Sequence, residues 1–201
     1  MTDRPTTRWN HNIHYQRLVV ERVPPSARTA LDVGTGNGLL AAELRDRVPD
    51  VVGLDPDGAV LASARRQDPR VRWIQGDVMT YPFELGSFDV VASVATVHHL
   101  PSLDDAFRRL AELASPGGVV AIVGLARSSG PRDALFDLAG IVQHARYRRR
   151  YGLWEHTAPT VWPPPHTYSE VRRAASQAMP GAAWSRLTMW RYFLSWVKPA
   201  R

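Results

Sequence analysis

The 201-residue sequence contains no cysteine, which excludes disulfides and thiolate metal sites. It also lacks long hydrophobic runs, and none approaches the length needed to cross a bilayer. The opening MTDRPTTRWNHN has no apolar signal-peptide core, so a cytoplasmic location is expected. Internal repeats and low-complexity tracts are absent. Adjacent histidines rarely chelate one ion, and no carboxylate cluster accompanies His98 and His99, so no metal is expected. What remains is an ordinary globular composition, 44% hydrophobic and 22% charged, with enough chain for one domain.

Acidic residues are the minority, 19 against 25 basic, for a formal net charge of +6. Such an excess raises the question of a nucleic-acid partner. Most of the arginine is scattered in pairs such as Arg65-Arg66, Arg108-Arg109 and Arg172-Arg173. The one dense run, Arg146 to Arg150 within RYRRRYG, reads as a solvated helix end in preference to an RNA groove.

Apolar runs alternate with amphipathic segments from about residue 28. TALDVG (29–34), VVGLD (51–55), VRWIQGD (71–77), FDVVASVATV (88–97) and VVAIVGL (119–125) read as strands. LLAAELRDRV, AVLASARRQ and the segment around Leu103 to Leu110 read as helices, the last ended by SPGG at Ser115 to Gly118. Continuous apolar strands separated by helices predict an α/β fold, a doubly wound, mostly parallel sheet in a three-layer sandwich. After it come an inserted helix over 131–150, a Pro-rich loop over 157–168 and a helix over 169–179. AWSRLTMW and RYFLSWVK close the chain as an antiparallel hairpin, with Trp184, Trp190 and Trp196 expected in the core. At the front, NHNIHYQRLVVERV reads as a helix ended by Pro24-Pro25. The expected organisation is one domain over 1–201, with a helical lid (1–25), a cofactor core (28–125), an acceptor-side insertion (126–168) and a last helix with terminal strands (169–201).

Gly34, Gly36 and Gly38 fall in the first strand-to-helix turn, where an open parallel sheet binds its ligand. A dinucleotide fingerprint needs G-x-G-x-x-G, but here the third glycine comes one position early and Leu39 stands in its place. The stretch Asp32-Val33-Gly34-Thr35-Gly36-Asn37-Gly38 instead resembles motif I of the class I S-adenosylmethionine-dependent methyltransferases, whose fold is Rossmann-like. Asp55 at the end of strand two, Asp77 after strand three and Gly117-Gly118 before strand five extend the resemblance over residues 28–125. It implies S-adenosyl-L-methionine as cofactor, held by Asp32, Gly34, Thr35, Gly36 and Gly38 of the first turn. Asp55 and Pro56 would meet the ribose, Asp77 and Val78 the adenine, and Ser93 would contribute from strand four. A carboxylate accepts two hydrogen bonds from a vicinal diol, and Asp32 favours a cationic ligand over a pyrophosphate.

The loop after strand four reads SVATVHHLP and lacks the Asn/Asp-Pro-Pro-aromatic sequence of methyltransferases acting on exocyclic base amines. His98 and His99 leave that strand at the reactive edge, and either is a candidate base. In an extended strand only one ring would face the pocket, and the sequence leaves open which. Tyr15 is the third catalytic candidate, from a lid helix that also carries His11 and His14. His14, Trp154 and Trp162 are expected on the acceptor side, where aromatic walls suit a flat apolar small molecule methylated at oxygen, nitrogen or carbon. Two other readings stay open: RNA methylation through Arg146–Arg150, and a non-catalytic protein that binds the cofactor. No membrane partner is expected, and the sequence does not reveal the oligomeric state.

Overall fold

In the computed structural model, which describes residues 9–154 and 161–200, the apolar runs become the strands of one seven-stranded sheet. Its strands are β1 (Thr29–Val33), β2 (Asp50–Asp55), β3 (Arg72–Gln75), β4 (Phe88–Val94), β5 (Ala114–Leu125), β6 (Ala183–Arg186) and β7 (Arg191–Val197). Their order is β3-β2-β1-β4-β5-β7-β6. The first five pair in parallel, while β7 inserts antiparallel between β5 and β6. The expected terminal hairpin is therefore present, and so is the doubly wound sheet.

The helices are α1 (His11–Val20), α2 (Leu39–Arg45), α3 (Gly58–Gln67), α4 (Leu103–Leu113), α5 (Pro131–Tyr151) and α6 (Tyr168–Ala178). One core joins Phe107 and Leu110 of α4 and Val171 of α6 to Leu31, Leu54 and Val91 of the sheet. The other joins Tyr15 and Val19 of α1 and Leu40 and Leu44 of α2 to Ala30, Val90 and Phe193. Both sheet faces are thus covered, as strands with apolar residues at consecutive positions require. The chain winds from β1 to β3 on one side and then crosses to β4 on the other. The crevice that opens at this reversal is where such sheets bind ligands.

Three differences from the sequence reading shape the site and its surroundings. β4 ends at Val94, because Ala95 turns the chain at φ 57° and residues Val97–His99 form a 3-10 turn. β5 begins at Ala114, so the SPGG segment belongs to the strand, at a register irregularity opposite Phe88 and Val90. Trp190 lies in the β6–β7 turn and not in a core strand, with its own φ at 58° and that of Met189 at 52°. Trp196 is buried as expected, and Trp184 is half-buried, stacked on Tyr192. Residues 1–8 of the expected lid and 155–160 of the expected insertion lie outside the described residues.

Candidate active site

A cavity of about 580 Å³ opens over the carboxyl ends of β1 and β4, within the size range usual for small-molecule sites. One end is built by the glycine turn. The amides of Gly34 and Thr35 both donate to the Leu54 carbonyl, at 2.8 and 3.0 Å, which draws the turn against β2. The Gly36 amide then donates to Asp55 Oδ2 at 2.9 Å, and Asp57 N donates to Asp55 Oδ1 at 3.0 Å. Asp55 therefore sets the loop and still has lone pairs free for a ligand.

The three glycines are bare for three different reasons. A Cβ on Gly34 would lie 2.1 Å from Thr96 Oγ1, so this glycine makes room for a neighbouring side chain. One on Gly38 would meet Trp73 at 2.5 Å, so this glycine seats α2 beside β3 and does not line the cavity. Only at Gly36 does a Cβ meet nothing within 4 Å, because it would project into open space at the cavity wall.

Asp32 lines the same end and is 1% exposed, accepting from Thr35 Oγ1 at 2.6 Å. Burial pushes its carboxyl up to about 7, against the opposing pull of the Thr35 hydroxyl and the Ala41 amide. Pro56 also lines the cavity. Ser93 and Val78 do not: Ser93 is fully buried with its Oγ donating to the Val33 carbonyl, and Val78 belongs to the core. Asp77 is exposed just past β3, on the same sheet edge as Asp55 but outside the lining. Thr96, absent from the sequence reading, does line the cavity, its Oγ1 donating to the Gly34 and Val94 carbonyls.

The other end is aromatic and holds the histidines. Because His98 and His99 sit in a 3-10 turn, the alternation expected of an extended strand does not apply, and both line the cavity with ring centroids 4.1 Å apart. His98 is buried, and its Nδ1 has no hydrogen-bond partner among the described residues. Burial, with His99 and Arg191 nearby, pulls His98 down to about 3, so its imidazole is neutral. Trp154 and Trp162 both line this end, and Trp190 joins them, packed edge-on to Trp162 at 5.6 Å.

The lid helix turns a different face inward from the one expected. Asn10 caps α1 by accepting from Ile13 N, and His11 lines the cavity, its Nε2 sharing a 2.8 Å hydrogen bond with His144 Nδ1 of α5. His14 instead packs between Tyr15 and Tyr147, outside the lining. Tyr15 is buried away from the cavity, with its hydroxyl 2.7 Å from Thr188 Oγ1 and 3.2 Å from the Thr188 carbonyl. Tyr15→Phe is accordingly expected to lower stability by about 1 kcal/mol, the worth of a typical hydrogen bond. A group in the chemistry would instead cost about 10²–10⁴-fold in kcat. Thermal unfolding and single-turnover rates of the one variant separate the two roles.

Several known proteins are similar to this chain. Residues 31–122 match the family described as Methyltransferase domain. An uncharacterized methyltransferase of Mycobacterium tuberculosis is 40% identical over 193 residues, covering 95% of this chain and 98% of that protein. Trans-aconitate 2-methyltransferase of Deinococcus radiodurans is 40% identical over 110 residues, 53% of this chain and 40% of that protein. Among solved structures, Haemonchus contortus phosphoethanolamine N-methyltransferase 2 in complex with S-adenosyl-L-methionine superposes with a TM-score of 0.64. It is 18% identical, and the match covers 92% of this chain and 52% of that one.

Proposed function

Because the chain belongs to the class I S-adenosylmethionine-dependent methyltransferases, we propose that it methylates a small molecule held against Trp154, Trp162 and Trp190. S-adenosylmethionine is its cofactor, and the glycine-turn end fits it. Gly36 leaves an open cradle, and Asp32, Asp55 and Asp57 line that end without a basic side chain among them. Such a wall suits a ligand carrying ammonium and sulfonium charges and repels a pyrophosphate. When bound, the cofactor supplies an electrophilic methyl group on a strong leaving group.

The chain's own work is then mainly alignment, which can contribute about 7–11 kcal/mol. Asp55 fixes the glycine turn and would take the ribose hydroxyls, with Pro56 beside it. Asp77, beyond it on the same edge, would take the adenine amine. The cap Asn10 and His11 and Ile13 of the first helix line the cavity over its aromatic end. The observation that carries the reading is the continuity of one cavity from the acidic glycine turn to the tryptophan walls.

Incubating the protein with methyl-labelled cofactor and cell extract tests it. Label is expected in the small-molecule fraction, while label confined to RNA or protein would overturn the proposal. The exposed Arg148, near the end of α5 and away from the cavity lining, supplies a control. Arg148→Glu is expected to leave transfer unchanged within twofold. A larger loss that is greatest at low salt and shrinks as salt is added would favour a phosphate-bearing acceptor.

A further inference from the structure

Arg191 is the first residue of β7, lines the aromatic end of the cavity and is 7% exposed. Its Nη1 donates to the Met189 carbonyl at 3.2 Å and its Nη2 to Asn12 Oδ1 at 2.8 Å, while its Nε–H is buried without a partner among the described residues. Both partners are neutral, and among the described residues no carboxylate forms an ion pair with it. Arg186, at the other side of the same turn, shows the contrast: it lies between Asp133 and Asp137. Burial lowers the Arg191 guanidinium only to about 10, so it is charged at neutral pH. A buried cation without a counter-charge is costly, and a fold retains one where a ligand supplies the anion.

The backbone that presents Arg191 is also held in an unfavourable state. Met189 and Trp190 are consecutive left-handed residues, each with a Cβ. Three contacts clamp their turn. Tyr15 of α1 bonds Thr188, Gln143 of α5 bonds the Thr188 hydroxyl, and Gly140 of α5 lets the Met189 backbone approach. A Cβ on Gly140 would lie 2.7 Å from Met189 N. Strain held in place by two helices is characteristic of sites whose geometry matters for a ligand.

We propose that Arg191 binds a carboxylate of the acceptor, so that the molecule methylated is a carboxylic acid and the product its methyl ester. The inference rests on the methyl-transfer reading above and names the acceptor class. The guanidinium lines the cavity with no carboxylate paired to it among the described residues, and its planar fork matches a carboxylate. The lining is then polarised, with carboxylates at the glycine turn and, among the described residues, Arg191 as its one permanent cation. His11 and His98, both pulled down to about 3 chiefly by burial, add no competing positive charge.

The same histidine chemistry bears on the reaction. An imidazole that resists protonation is a weak base for a hydroxyl or amine acceptor. A carboxylate needs no base: its oxygen bonds to the methyl carbon as the carbon–sulfur bond breaks, the electron pair leaves with sulfur, and no proton is released.

Protein loaded with S-adenosylhomocysteine, titrated with benzoate and with neutral benzamide and followed by tryptophan fluorescence, tests the site directly. Benzoate is expected to bind at least tenfold more tightly, and Arg191→Gln to abolish the preference while Arg191→Lys retains part of it. Unchanged S-adenosylhomocysteine affinity certifies that each variant is folded. In the label-transfer assay, the wild-type product is expected to release its methyl as methanol in mild base, and Arg191→Gln to lower the yield at least 100-fold. Base-stable label, or a benzoate preference that survives in Arg191→Gln, overturns the proposal and leaves the methyltransferase reading standing. No labelled small molecule from the wild-type protein overturns both.

Discussion

Gly36→Asn is expected to weaken S-adenosylhomocysteine binding by about 100-fold, about 2.8 kcal/mol, with a melting temperature within a few degrees of wild type. Gly36 adopts φ 53°, and asparagine is among the few residues that accept that region readily. Its side chain meets no atom of the described residues within 4 Å at the Cβ position, so it extends into the cradle at the expense of the ligand. Gly34→Asn is the informative opposite. There the new Cβ lands 2.1 Å from Thr96 Oγ1 and 2.7 Å from Thr96 Cβ, and Thr96 is tethered to two carbonyls. Overpacking of this kind costs about 1–3 kcal/mol, so the folded state should suffer first. Calorimetry for binding and denaturant melts for stability, run on both variants, check the pair. Equal binding losses with equal stability losses would mean that Gly36 is only a turn residue.

The second large effect is in pH. The Asp32 carboxyl, ordinarily at 3.8, stands at about 7 in the folded protein because burial penalises its charge. Binding a cation beside it favours the ionised form, so the complex forms with loss of a proton below that pH. Cofactor affinity should fall as pH drops through 7, approaching tenfold per unit and reaching about 20-fold between pH 7.5 and 5.5. Asp32→Asn should flatten this dependence. The sign for stability is the reverse of that for a paired carboxylate. Between pH 3.8 and 7 the unfolded chain ionises Asp32 while the folded chain resists, so stability falls as pH rises through this window and levels off above it. Asp32→Asn should therefore make the ligand-free protein more stable at pH 8 while weakening its cofactor binding. A variant that loses both stability and affinity would show the carboxylate to be structural.

The sheet was legible because β1, β2, β4 and β5 are buried on both faces, leaving runs of apolar residues that no surface element shows. The glycine turn was legible as a ligand-facing loop, but not the division of labour within it. That Gly38 accommodates Trp73 and Gly34 accommodates Thr96 depends on residues 35 and 62 positions away in sequence. The Ser93–Thr96 segment misled for a related reason. SVATV is a good strand sequence, yet Ala95 turns left-handed there, its amide bonding the Val123 carbonyl, and Thr96 in place of Ser93 reaches the cavity. On the first helix, the sequence offered Tyr15 for catalysis and His14 for the acceptor, and could not show that Tyr15 turns to Thr188, that His11 beside the cap faces the cavity, or that His14 meets Tyr147. Arg191 was hidden among two dozen other basic residues. Its signal, burial without an acidic partner, exists only in three dimensions.

The aromatic end is stitched from opposite ends of the chain: His11 to His144, Tyr15 to Thr188 and Asn12 to Arg191, separated by 133, 173 and 179 residues. The glycine-turn end closes over much shorter spans, such as Gly36 to Asp55 at 19 residues. Closing long loops carries the larger entropy cost and slows formation. The glycine-turn half can therefore assemble early in folding, while the aromatic half must wait for β7. In the native protein α1, held to its aromatic-end partners across such long spans, is expected to open before β1 and β4, and native-state hydrogen exchange would show its amides exchanging sooner. An acceptor buried beneath that helix would then enter and leave by partial unfolding of one end of the molecule, while the sheet beneath the cofactor stays intact.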